Sequence, residues 1–116
     1  MISNLVVQKF GGTSLANIER IQAVANLIEQ SVKSGKEVVA VVSAMAGETQ
    51  RLIDLAKEVQ SEPDPREYDA LISSGEQVSV ALLAMALKEK NFLSKSYTAF
   101  QLGLKTNETH GKARIC

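Results

Sequence analysis

The chain has 116 residues, of which 45% are apolar and 22% charged, with 13 basic side chains set against 13 acidic ones. That is the length and composition of one globular domain with a modest core, and unlike a disordered tail. The charge balance and the lack of tryptophan give no footing for a phosphate-tracking basic surface or an aromatic base-stacking platform, so nucleic-acid binding is set aside. The single cysteine, Cys116, allows neither a disulfide framework nor a multi-cysteine zinc site, which fits a reducing compartment. Residues 1–8 lack the cationic lead and long apolar run of a secretory signal. The most apolar stretch, 78–87, is interrupted by Ser79 and falls short of the about 20 residues that cross a bilayer. A soluble, cytoplasmic protein is expected.

Residues 5–10 form a short β-prone run that ends at Gly11 and Gly12. Over 17–32, Ile18, Ile21, Ala25, Ile28 and Val32 recur every three or four residues, which predicts a helix with one apolar stripe. Ser14 and Asn17 give it a polar opening, and Gly35 suits the left-handed position just past its end. The near-continuous valines of 37–43 read as a strand buried on both faces of a parallel sheet, so the first unit is a β-α-β crossover. A small-residue turn at 44–48 leads to a second helix from about Thr49, with Leu52, Ile53, Leu55, Ala56 and Val59 inward. The two prolines of 61–65 break it. Two more helices are expected, 66–73 and 76–90, the second apolar on nearly all sides, and then a strand at 95–100 and a polar stretch over 101–116.

Three segments carry candidate chemistry. In Lys9-Phe10-Gly11-Gly12-Thr13-Ser14, adjacent glycines let the backbone approach a ligand, first-turn N–H groups can meet an anion, and Lys9 adds a positive charge at the carboxyl end of a strand. It is neither the G-x-x-x-x-G-K-[ST] phosphate loop nor the G-x-G-x-x-G dinucleotide fingerprint, and a tight turn beside a solvated lysine accounts for the same residues. In the second segment, 42–49, Ser43 and Thr49 would share that rim and suit a carboxylate or phosphate; an ordinary capped helix is the other reading. In the third, Ser73-Ser74-Gly75-Glu76-Gln77, Glu76 either complements the dipole of a helix start or grips the ammonium of an amino acid. His110 has no second ligand-like residue nearby, so a metal site is not expected. Met45 and Met85 read as core fillers.

Four ordered segments, K-F-G-G-T-S at 9–14, V-S-A-M-A-G-E-T at 42–49, S-G-E-Q at 74–77 and T-x-x-x-H-x-x-A-R-I at 106–115, together resemble the amino-terminal part of the aspartokinases, in the amino-acid kinase superfamily. The serine-alanine-methionine run is more similar to the monofunctional type than to the forms fused to homoserine dehydrogenase. The resemblance implies an α/β three-layer αβα sandwich with a mainly parallel sheet, of which residues 1–116 would be the amino-terminal, amino-acid-binding part. It implies transfer of the ATP γ-phosphoryl group, with Mg2+, to the side-chain carboxylate of L-aspartate, giving 4-phospho-L-aspartate on the way to lysine, threonine and methionine. Lys9 would be the catalytic cation and, with Gly11, Gly12, Thr13 and Ser14, would hold the ATP phosphates. Ser43, Thr49 and Glu76 would hold aspartate, and no residue is assigned to a metal. Asn107 stands where relatives commonly carry Asp, and Phe100 departs from the usual pairs there, so neither receives a role, nor do His110, Arg114 and Cys116. The nucleotide-binding half and the ACT regulatory domains of the family have no counterpart in this sequence. The resemblance therefore implies a fragment, inactive alone, whose open sheet edge calls for a homo-oligomer or partner chain. A non-catalytic binding or assembly module that keeps the fold is the second reading.

Overall fold

A computed structural model describes residues 4–98 and 101–103. The chain runs β1 (Leu5–Phe10), a single 3-10 turn (Gly12–Leu15), α1 (Ile18–Lys33), β2 (Glu37–Val42), α2 (Glu48–Val59) and α3 (Pro65–Glu89). β1 and β2 pair in parallel, Leu5 opposite Glu37 through Phe10 opposite Val42, with α1 as the crossover. The α/β class and the β-α-β unit expected from the sequence are both present.

The ends of α1 follow from local chemistry. Asn17 is extended and its side chain accepts a 2.9 Å hydrogen bond from the Arg20 N–H, satisfying a donor that has no partner within the first turn. At the other end Gly35, at φ +95°, lets the Gly35 and Lys36 N–H groups bond back to the carbonyls of Val32 and Ser31. Along the strands, Phe10, Val38, Ala40 and Val42 pack against the core built from Leu15, Ile21, Val24, Ala25, Ile28 and Leu83. The alternate residues face away. Val7 is 67% and Val41 47% exposed, so among the described residues helices cover one face of the sheet, and the valine run is not buried on both sides.

The two helices expected at 66–73 and 76–90 are one. Asp64 caps α3 by accepting from the Glu67 N–H, and Pro65 occupies the first turn, where its missing N–H costs nothing. The Ser73-Ser74-Gly75 run does not break the helix, because Ser73 and Ser74 donate their hydroxyls to the carbonyls of Ala70 and Leu71. Gly75 meanwhile is buried against neighbouring side chains. The merger gives a helix of 25 residues, long and apolar enough by length and composition to cross a membrane, unlike the stretch 78–87 taken by itself. Here it packs against α1, α2 and β2, with Gly75, Ser79 and Leu83 buried. Beyond it, residues 95–98 carry no regular structure where a strand was expected. Thr98 and Gln101 instead exchange hydrogen bonds, the Thr98 N–H donating to Gln101 Oε1 and the Gln101 N–H to Thr98 Oγ1. Phe100, Asn107, His110, Arg114, Cys116 and the 106–115 motif lie outside the described residues.

Candidate functional site

Both strands end at one edge of the sheet, and the three segments singled out above meet there around Ala44, which is 5% exposed. The Ser43 N–H continues the ladder by donating to the Phe10 carbonyl at 3.2 Å, which joins the β2–α2 loop to the end of β1. Gly12 lies against the same loop. A Cβ placed on it would sit 3.3 Å from the Ala44 carbonyl oxygen and 3.7 Å from the Ala46 Cα and N, so a side chain there would push the two turns apart. From below, Gly75 of α3 approaches so closely that an added Cβ would lie 3.2 Å from Ala44 Cβ, 3.3 Å from Leu52 Cδ1 and 3.4 Å from Glu48 Cγ. Ser79, one turn further along α3, donates to the Ser43 carbonyl at 2.6 Å.

Two expectations about electrostatics change. Glu76 lies about three turns into α3, not at a helix start, so the helix dipole does not explain it. Gly11 and Gly12 lead into one 3-10 turn rather than into a long helix; α1 begins later, at its own Asn17 cap. Any anion bound there would meet loop N–H groups. The second turn is not an ordinary capped helix either: Gly47, at φ +80°, precedes α2 with no side-chain cap.

What remains is a set of uncommitted polar groups. Lys9 is exposed on the uncovered face of β1, opposite Val41, and among the described residues it has no carboxylate partner. Glu76 is exposed and likewise unpaired among them. Glu48, although nearer the loop, is already engaged: Arg51 meets it with Nη2–Oε1 at 2.6 Å and Nε–Oε2 at 3.1 Å. That fork holds the Glu48 carboxyl below the usual carboxylate range. Thr13, Ser14 and Thr49 are exposed. The residues that fix this edge had no role assigned from the sequence: Leu15, fully buried in the 3-10 turn, and Gly75 and Ser79 on α3. The i, i+4, i+8 spacing of Gly75, Ser79 and Leu83 within an apolar helix was the signal available for the last two.

The larger concavities are elsewhere. One of about 530 Å³ runs along the free edge of β1 beside Leu27, Gln30 and Ser31 and reaches Lys9. Another of about 490 Å³ lies between α1, β2, α3 and Phe92 to Ser96. Neither is lined by Gly12, Ser43, Thr49 or Glu76, so among the described residues the site is an open rim rather than an enclosed pocket.

The profile of the amino acid kinase family matches residues 4–115. The aspartokinase of Geobacillus stearothermophilus is 54% identical over 111 residues, covering 96% of this chain and 27% of that protein. Aspartokinase 2 of Bacillus subtilis is 49% identical with the same coverages. The chain thus spans about a quarter of the length of these relatives. Among solved structures, aspartate kinase from Synechocystis superposes with a TM-score of 0.73 at 54% identity, covering 75% of this chain and 15% of that one. Escherichia coli aspartokinase III, crystallised with aspartate and ADP, gives 0.81 over 97% of this chain and 35% of its own; at 23% identity it shows the fold alone.

Proposed function

Because the chain belongs to the amino acid kinase family, we propose that residues 1–116 form the amino-terminal, aspartate-binding part of an aspartate kinase, which transfers the γ-phosphoryl group of ATP to the side-chain carboxylate of L-aspartate. The observation that carries this reading is the meeting at Ala44 of the glycine turn, the β2–α2 loop and the Gly75 stretch of α3, the same three segments that carry the unpaired Lys9 and Glu76 and the exposed hydroxyls of Thr13, Ser14 and Thr49. The names of the roughly half-identical relatives support the choice of aspartate.

The chemistry asks little of the protein's covalent repertoire. A side-chain carboxylate of ordinary pKa, about 3.9, is ionised at neutral pH and needs no general base. Its oxygen forms the new bond to the γ-phosphorus as the bond to the β–γ bridging oxygen breaks, and that oxygen's electron pair leaves with ADP. Positioning and charge stabilisation carry such a transfer. Lys9 offsets negative charge on the transferring group, and the N–H groups of Gly11 and Gly12 with the hydroxyls of Thr13 and Ser14 orient the phosphates. Glu76 takes the ammonium of aspartate, and Ser43 and Thr49 supply polar contacts to the rest of it.

Among the described residues no three His, Cys, Asp or Glu side chains come together, so they offer no cage for a metal ion. Mg2+ is proposed only as the companion of ATP, where it shares phosphate charge. On this reading the 116-residue chain alone does not turn over, the location is cytoplasmic, and the uncovered sheet is closed by further chain or by a partner subunit. The exposure of Val7 and Val41 favours one other reading, a non-catalytic assembly module. Such a module would show no calorimetric heat with aspartate or ATP and a concentration-dependent mass.

The deciding experiment is steady-state kinetics in the full-length protein containing these residues. Lys9→Ala is expected to cost about 2.7–4 kcal/mol of transition-state stabilisation, read mainly in kcat. Glu76→Gln is expected to act mainly on the aspartate KM. Unchanged turnover in the first variant defeats the role of Lys9, and an unchanged KM in the second defeats that of Glu76.

A further inference from the structure

Ser79 is fully buried, in the middle of α3, and its hydroxyl has two acceptors within reach: the Glu76 carbonyl at 3.1 Å and the Ser43 carbonyl at 2.6 Å. A hydroxyl has one proton to give. Serines inside helices ordinarily spend it on their own helix, as Ser73 and Ser74 do. At Ser79 the shorter bond leaves the helix and spans 36 positions of sequence to the end of β2. The Ser43 carbonyl lies one residue past the strand and next to buried Ala44, and among the described residues no other hydrogen bond to it occurs. Its neighbour, the Ala44 carbonyl, is the atom against which Gly12 packs.

We propose that Ser79 is a positioning residue for the acceptor side of the site. By holding the Ser43 carbonyl it sets the rotation of the Ser43–Ala44 peptide, and with it the placement of the Ser43 side chain and of the loop that leads to Thr49. One bond thus locks that loop to the same helical turn that carries Glu76. The inference rests on the aspartate kinase reading above, and it concerns acceptor binding rather than the nucleotide.

The test is kinetic, in the full-length protein, with Ser79→Ala and Ser79→Thr. Removing the hydroxyl in Ser79→Ala is expected to raise the aspartate KM about 5- to 20-fold while the ATP KM and kcat stay within about twofold. Ser79→Thr, which keeps the donor, is expected to hold the aspartate KM within about twofold of the unmutated protein. Hydrogen exchange is expected to quicken in Ser79→Ala at the amides of 44–49 and not elsewhere. An unmoved aspartate KM in Ser79→Ala overturns the proposal. So does a fall of kcat and Tm with both KM values rising together, or failure to fold, because those mark a merely structural hydroxyl. If the unmutated protein shows no aspartate-dependent release of ADP, the aspartate kinase reading and this one fall together; activity with an insensitive Ser79→Ala sinks only this one.

Discussion

The turn after β1 and the turn after β2 leave the same edge of the sheet, but they are anchored in different ways. The first is held from within. Leu15, 0% exposed, belongs to the same 3-10 turn as Gly12 and sits in the core, and Asn17 caps the helix that follows. The second has no side-chain cap; small Ala44 is its buried member, Met45 packs half-buried against the core, and its carbonyl at Ser43 is held by α3. The glycine turn is thus fixed by local sequence, whereas the turn proposed to hold aspartate is held in addition by a helix far along the chain. Contacts between elements carry a loop's precision as readily as contacts within it.

The comparison can be broken most forcefully at Leu15. Leu15→Ala should cost about 2–5 kcal/mol of stability, measured by urea unfolding, because the atoms it removes leave a cavity in the core cluster that Leu15 shares with Ile21, Val24, Ala25, Ile28 and Leu83. A loss below 1 kcal/mol, on the order expected of an exposed position, would show that the first turn is not core-anchored.

Gly75→Ala sharpens the other side. Alanine gains about 1 kcal/mol of helix propensity over glycine, but overpacking a buried site costs about 1–3 kcal/mol. Leu52 and Glu48 can rotate their outer atoms away, while the Cβ of Ala44, 3.2 Å off, cannot move without its backbone. A net loss of up to about 2 kcal/mol is expected, together with a raised aspartate KM in the full-length protein; a stabilised variant would mean that α3 does not set the loop.

The smallest effect belongs to Glu48→Gln. The Glu48 carboxyl is held low by the Arg51 hydrogen bond, so its contribution is present above the ordinary carboxylate range and is lost as pH falls through its folded-state value. Since the pair is partly open to water, the loss should be slight. Removing the carboxylate should flatten the acid limb of Tm against pH and leave neutral-pH aspartate binding intact.

Much of this architecture is legible in the residues. The β-prone run, the period-3.6 stripe and the valine run placed β1 to the residue and α1 and β2 within a residue at each end, because each has a polar or glycine boundary at which its hydrophobic pattern stops. The gap between the two expected helices was not legible: a Ser-Ser-Gly run looks like a break until the serine hydroxyls are seen bonding to their own helix and the glycine is seen packed. At the site, the small-residue turns announced themselves. Their meeting at Ala44 did not, since it depends on where α3 crosses the loop. Nor did the uncovered side of the sheet, because Val39 and Val41 look alike whether they face protein or water.

The unbroken course of α3 has a mechanical corollary. Glu76 owns no hinge: its backbone belongs to a rod fastened by Asp64 at one end and by the turn at Asn91, φ +67°, at the other. The carboxylate can swing on its own side-chain torsions. To travel further it must drag the whole rod, and with the rod go Gly75, Ser79 and the tether on Ser43. The two walls of the proposed acceptor site are therefore tied to one rigid element, so neither is placed independently of the other.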